Sequence, residues 1–322
     1  MQRIETFVLA LSLSWPVTAV AQPAAVTAGR DVTQAEDVQR PRKRRVDCDR
    51  APAGSLQKAI SMAAQGDTIL VSGTCQENVI IPLGKDLITL DGADAAAIAG
   101  PDATQPTLSV RARDITIRAL TITGGFDGIS VSQGASGFID GNIIHNTARY
   151  GVGVAPLSSA VIVNNRIHDN GQAGIIVGMN SSASIGFVAP SDTVARPNVI
   201  TGNGAQGIVV TRNSYARIVG NEISNNRANG VNVREVSDAE ISDNIVNGNG
   251  ANGILVAQGS GVLLGADTGN TIFTRPNTTT INNVGFGIRC QIAGFADGLL
   301  GSLNGDGGPQ DYLEGCINSL IP

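Results

Sequence analysis

One pattern recurs along the middle of this chain: Asn-x-Ile-x-x-Asn-x-x-x-Gly-Ile/Val. Its first Asn falls at Asn142, Asn165, Asn198, Asn221 and Asn244, in steps of 23, 33, 23 and 23 residues. The Gly nine places on is Gly151, Gly174, Gly207, Gly230 and Gly253, and Gly128 extends the series one step earlier. Thr147 stands in for the second Asn of one copy, and Val246 for the Ile of another. A repeat of this length is the signature of a solenoid, whose units are too small to bury a face alone and must stack on one another.

Each copy reads as short strands separated by turns. Gly-Ile-x-Val alternates its faces, and the inward pairs are Ile129/Val131, Val152/Val154, Ile175/Val177, Ile208/Val210, Val231/Val233 and Ile254/Val256. Ile144, Ile167, Ile200, Ile223 and Val246 form a second inward column, and Ile139, Ile162, Ile218 and Ile241 a third. Stacked at about 4.8 Å, such columns make one continuous apolar core. Asn at a fixed turn position satisfies backbone groups and tolerates left-handed conformations, so its repetition is structural first.

Composition agrees. Gly and Asn, at 40 and 25 of 322 residues, disfavour helix interiors, while a 42% hydrophobic content argues against disorder. One helix is expected, with Ser55 as its cap and Leu56, Ile60 and Ala63 on one face, plugging the N-terminal end of the solenoid. Residues from about 265 lack the repeat and are expected to form an irregular C-terminal cap.

Residues 1–21 read as a signal peptide: Arg3, an apolar stretch, then Ala19-Val20-Ala21 as the cleavage pattern. The protein is therefore expected to be exported, to periplasm or medium. No later run is long and apolar enough for a membrane span. Residues 22–47, with Arg40-Pro41-Arg42-Lys43-Arg44-Arg45, read as a flexible basic linker, and 48–322 as a single domain. From Val46 onward there are 15 basic and 23 acidic residues, a difference of −8, which makes nucleic acid a poor partner. The four cysteines suit an exported chain, and proximity suggests Cys48–Cys75 and Cys290–Cys316 among the three possible pairings. No CxxC or His-rich spacing supports a metal site.

The stretch 54–81 (GSLQKAISMAAQGDTILVSGTCQENVII), followed by the Asn-x-Ile copies, resembles secreted bacterial right-handed parallel β-helix repeat proteins of the pectate lyase-like fold group. The resemblance covers about residues 48–320. It implies an all-β right-handed parallel β-helix with coils of about 23 residues. It implies a polysaccharide or envelope glycan as partner, but not one activity, since the group holds lyases, hydrolases, esterases, epimerases, accessory proteins and adhesins.

The chemistries of that group can be tested against the residues. Polygalacturonase-like members place acidic residues before the strand Gly on adjacent coils, where one serves as acid and one as base. Here that column reads Asp127, Tyr150, Ala173, Gln206, Asn229 and Asn252, with one carboxylate. Epimerase-like members carry Tyr-Gly-x-Asp-Pro-His at the same strand. This chain keeps Tyr150 and Gly151 but has Gly153 and Ala155 at the Asp and His positions. Lyase-like members use Lys or Arg as base, often with carboxylate-bound Ca²⁺. Lys43, Lys58 and Lys85 all precede the regular coils, which leaves Arg149, Arg166, Arg212, Arg217, Arg227 and Arg234. Clustered Ca²⁺ carboxylates are not evident, and no cofactor is expected.

A carbohydrate-binding envelope protein, not necessarily catalytic, is the first reading. A lyase-type enzyme with an Arg or Tyr base is the second, centred on Asp127, Arg149 and Tyr150. Gln206, Arg212, Tyr215, Asn229, Arg234, Glu235 and Asn252 are the expected substrate-binding set. Arg212, Tyr215 and Arg217 align with Glu235, Asp238 and Glu240, so a structural charge ladder competes with sugar binding there. His145 and His168, with Asp169, are expected to stack on neighbouring coils as exposed turn residues. The outward row Ser130, Gly153, Ile176, Val209, Asn232, Leu255 is partly apolar. The long loop at 178–197, which carries the ten extra residues of the 33-residue step, is expected to fold over Ile176 and Val209, or the row to serve an adhesive or scaffold role by self-association through Ile176, Val209 and Leu255.

Overall fold

A computed structural model describes residues 41–188, 192, 194–265, 275–313 and 315–321. The expected signal peptide and most of the linker lie outside the described residues. A single coil shows the plan. Strand Ile129–Val131 is followed by Ser136–Asp140 and then Ile143–His145, and the next coil repeats the path with Val152–Val154, Ser159–Val163 and Arg166–His168. Among the described residues every pairing between strands is parallel, and about 11 turns make an all-β right-handed solenoid. Ten strands, from Val79–Ile81 to Gly308–Tyr312, form the first sheet. The other two strands of each coil form an 18-stranded second sheet, because the long strand Thr89–Gly100 pairs with both ladders.

The register explains the repeat. Ile144 pairs with Ile167, Ile167 with Ile200, Ile200 with Ile223 and Ile223 with Val246. All three expected inward columns are completely buried. Because each rung removes a whole β-branched side chain from water, burial contributes about 1.5–3 kcal/mol per residue before entropy is subtracted.

Polar ladders hold the corners. Asn142, Asn165, Asn198, Asn221, Asn244 and Asn277 stack in one buried file. Asn198 is typical: its Oδ1 accepts from the backbone N–H and Nδ2 of Asn165, and its Nδ2 donates to Ile162 O and to Asn221 Oδ1. A second file runs Thr147, Asn170, Asn203, Asn226, Asn249, Asn283. Sequence reading missed a third, in which Ser158, Ser181, Ser214 and Ser237 each donate a backbone N–H to the serine hydroxyl of the next coil. The strand glycines permit the close stacking: a Cβ at Gly174 would lie 2.6 Å from Ile200 Cγ2 and 2.8 Å from Gly207 O.

Four expectations change. The linker ends earlier, because Lys43–Asp47 is a strand paired in register with Thr68–Gln76. Its cations discourage another chain from adding to that edge. The helix is Ser55–Met62 with Leu56 and Ile60 fully buried, but Ser55 is not its cap. The cap residue is Gly54, and the Glu77 carboxylate receives the N–H groups of Leu56 and Gln57. The C-terminal part is not an irregular cap: Phe286–Gln291, Phe295–Leu299, Gly308–Tyr312 and Ile317–Ile321 continue both sheets. Finally, the insertion falls later, between Ser182–Ile185 and Val199–Thr201, where Phe187 and Ala195 pack on Val219. Among its described residues, these contacts are with the second sheet, whereas the expectation placed it over Ile176 and Val209. Both disulfides form as sequence proximity suggests, Cys48–Cys75 and Cys290–Cys316.

Candidate functional site

The column before the strand glycine is where the repeat stops repeating. Asp127 and Tyr150 sit there on adjacent coils, at the rim of the outward face of the first sheet. Arg149 Nε and Nη2 donate to Asp127 Oδ1 and Oδ2 at 2.9 and 2.7 Å, and the Tyr150 N–H donates to Asp127 Oδ1 at 3.2 Å. The guanidinium also lies 4.1 Å from the Phe126 ring centroid and 4.3 Å from that of Tyr150. Asp127 is buried, and such a two-point pair between planar groups fixes orientation as well as charge. The Asp127 hydrogen bonds raise the Arg149 pKa above its ordinary value, against the opposing effect of burial. Arg149 is therefore a fixed cation that clamps Tyr150, and a poor proton acceptor.

This corner opens on a pocket of about 130 Å³, lined also by Ile176, Met179, Thr211 and Arg212. Phe126, Met179 and Thr211 escaped sequence reading. Strand alternation extended one residue past the inward Val210 would have placed Thr211 on this face. The outward row continues in register through Gly153, Ile176, Val209, Asn232, Leu255 and Arg289. Val209 and Asn232 are buried, while Ile176 and Leu255 are half-buried, so the row is the floor of a groove more than an exposed apolar strip.

The expected binding set divides. Gln206 is half-buried, and Asn229 and Asn252 are buried along the rim. Asn229 Oδ1 accepts both the N–H and the Nδ2 of Asn252, and Asn252 Oδ1 accepts from Phe286 N, so these two form a short ladder of their own. Arg212 and Arg234 flank the other rim, with Glu235 3.4 and 3.8 Å from their Nε atoms. Tyr215 leaves the set: it lies on the second sheet between Ser182 and Asp238 and faces a different furrow. Arg217 meets Glu240 at 2.8 Å with both side chains largely covered, as a structural ladder requires. His145 and His168 stack with ring centroids 5.1 Å apart, and His168 Nδ1 contacts Asp169 at 2.8 Å.

Among the described residues, the one group of three metal-ligand side chains within reach of one another is Cys48, Cys75 and Glu77, and its two sulfurs are joined to each other. Among those residues, too, no helix is long and apolar enough to cross a membrane.

Comparison with known proteins agrees on the fold. An alginate lyase from Paenibacillus sp. str. FPU-7 superposes with a TM-score of 0.54 at 18% identity, over 86% of this chain and 99% of that one. The enzymatically active domain of tailspike protein 2 from bacteriophage CBA120 gives 0.62 at 14% identity, over 85% of this chain and 47% of that domain. A double mutant of the periplasmic alginate epimerase AlgG gives 0.50 at 15%, over 86% and 84%. No curated protein matches the chain in sequence. The family model described as the right handed beta helix region matches residues 107–262 and 179–294, more than half of the chain. With its stacked coils and asparagine files, this chain belongs to the right-handed β-helix family.

Proposed function

We propose that the chain is an exported polysaccharide-binding protein whose groove is the outward face of the first sheet, entered at Tyr150. The observation that carries this reading is the Asp127–Arg149–Tyr150 corner opening on a pocket. Every coil needs an apolar core and a polar file, but none needs a buried carboxylate clamping an arginine between two aromatic rings at its rim. Built corners of this kind present an aromatic face and fixed polar groups, which is what a sugar ring with its hydroxyls takes. The superposed lyase and epimerase are named for alginate, and the tailspike domain is described as enzymatically active, in keeping with a carbohydrate ligand. The two disulfides suit an oxidising compartment outside the cytosol.

A second reading, turnover by a lyase-type step, rests on Tyr150. With Arg149 held as a cation, the Tyr150 hydroxyl is the remaining proton-transfer group of the expected triad. One experiment separates the readings: the mature protein and Tyr150→Phe are offered plant, algal and bacterial polysaccharides. Binding is read by affinity electrophoresis, and chain length and unsaturated ends by mass spectrometry. Binding without new ends supports the first reading. New ends that vanish in Tyr150→Phe support the second, and neither binding nor cleavage of any polymer rejects both.

A further inference from the structure

The asparagine files are satisfied throughout, which makes the exceptions informative. Among the described residues, the buried side-chain atoms without a hydrogen-bond partner are Arg111 Nε, Thr211 Oγ1, Asn232 Oδ1, Arg234 Nε, Ser242 Oγ, Arg289 Nε and Tyr312 Oη. Strand alternation puts five of them, on Arg111, Thr211, Asn232, Arg234 and Arg289, on the outward face of the first sheet. Two of these have ionic company, since Arg234 Nε lies 3.8 Å from Glu235 and Arg289 Nε lies 3.2 Å from Asp311. Arg111 has none but is only half-buried, whereas Thr211 and Asn232 have none and are buried.

Those two residues are 3% and 4% exposed and sit on adjacent coils, two and three coils along the groove from Tyr150. Thr211 lines the pocket that Tyr150 opens on. A buried hydroxyl or amide oxygen left unpaired destabilises the fold, so a purely structural position would carry Val there. The same row does carry Val209 and Leu255 on either side of Asn232. Resting on the groove assigned above, we propose that Thr211 and Asn232 form a specificity subsite that reads free hydroxyl groups on a sugar farther along the groove than the one at Tyr150.

The chemistry is selective. An amide oxygen only accepts, so Asn232 Oδ1 needs a ligand O–H, while the Thr211 hydroxyl donates or accepts. A sugar with two free hydroxyls satisfies both. Converting those hydroxyls to methyl ethers removes the donor and leaves Asn232 buried and unpaired, and such sites reject the ligand that lacks the group.

The test uses alginate and polygalacturonate, each with free hydroxyls and after partial O-methylation, against the full-length mature protein, Thr211→Val and Asn232→Val. The wild type is expected to bind the free-hydroxyl form at least about tenfold more tightly. Both variants are expected to lose that preference and yet to melt at or above the wild-type temperature, because each removes an unpaired buried polar atom. A fall of several degrees in either variant would show a structural role and overturn the proposal. So would variants that keep the preference. If Tyr150→Phe weakens binding while Thr211→Val and Asn232→Val leave the preference intact, the subsite fails and the groove stands. If the wild type binds none of the four polymers, both fail.

Discussion

Two columns climb the same coils of this molecule. The first asparagine file reads Asn, Asn, Asn, Asn, Asn, Asn from Asn142 to Asn277, and its side chains are bonded to the coils on either side. The column before the strand glycine reads Asp127, Tyr150, Ala173, Gln206, Asn229, Asn252, and it lines a rim of the groove. Both occupy turns, and both have the same spacing. The difference is what the backbone demands. Where buried N–H and C=O groups need a partner on every coil, one residue type is fixed. Where only some rungs accept a backbone N–H from the next coil, as Asp127, Asn229 and Asn252 do here, the remaining side chains are left for other work.

The comparison is broken most severely by removing one asparagine from the file. Asn198→Leu leaves the Asn165 N–H without a partner in a buried corner and takes from Ile162 O one of its two donors, the other being the Gly186 N–H. A loss of about 3 kcal/mol or more in urea unfolding is expected. Closest to it is Gly174→Ala, whose added Cβ meets Ile200 and the Gly207 carbonyl. Overpacking there is expected to take about 1–3 kcal/mol by the same measurement. In the neighbouring column the expectation reverses. Gln206→Ala should change stability by less than about 0.5 kcal/mol, and a change as large as that at Asn198 would erase the distinction between the columns.

Asp127→Asn sharpens it further. It weakens the hold on Arg149 and Tyr150, so polysaccharide affinity should fall more than thermal stability does, whereas a mainly structural pair would show the opposite order. The smallest effect concerns pH. Partial burial, and then the neighbouring His168, lower the His145 pKa from 6.5. A proton therefore binds His145 less readily in the folded chain than in the unfolded one. Its contribution to stability is fully present above about pH 6.5 and is lost below it, as the pH falls through the lowered value of the folded chain. A slight drop in melting temperature between pH 7 and pH 5, reduced in His168→Asn, is the expected result.

The regular part of this architecture could be read from the chain because repetition multiplies a weak signal. One Ile-x-Val or Val-x-Val is ambiguous; six such pairs in step with six glycines are not. The same reasoning misplaced what repeats poorly. Ser182–Ile185 is a short strand of mostly small residues, so the insertion seemed to begin before it and not after. Lys43–Asp47 looked like linker because an edge strand is kept from aggregating by the charges that make it look unstructured. Tyr215 was grouped with Arg212, only three residues away. Arg212 and Asn213 both take the left-handed conformation, and the corner they make turns Tyr215 onto another face. At the groove, Asp127 and Tyr150 showed themselves as breaks in a column. Thr211 and Asn232 did not, because an unpaired atom is a property of three-dimensional surroundings and leaves no mark on spacing.

The asparagine file has a further consequence. Its amide groups point the same way up the axis, each receiving from the coil before and giving to the coil after. Dipoles aligned head to tail polarise one another, so an interior rung is held by neighbours on both sides and a terminal rung by one. The chain should behave as a zip fastener, fraying from its ends and slowest to open at mid-length. Amide protons at Asn165, Asn198 and Asn221 would then exchange with solvent last, and the time each rung takes would record its distance from the nearer end.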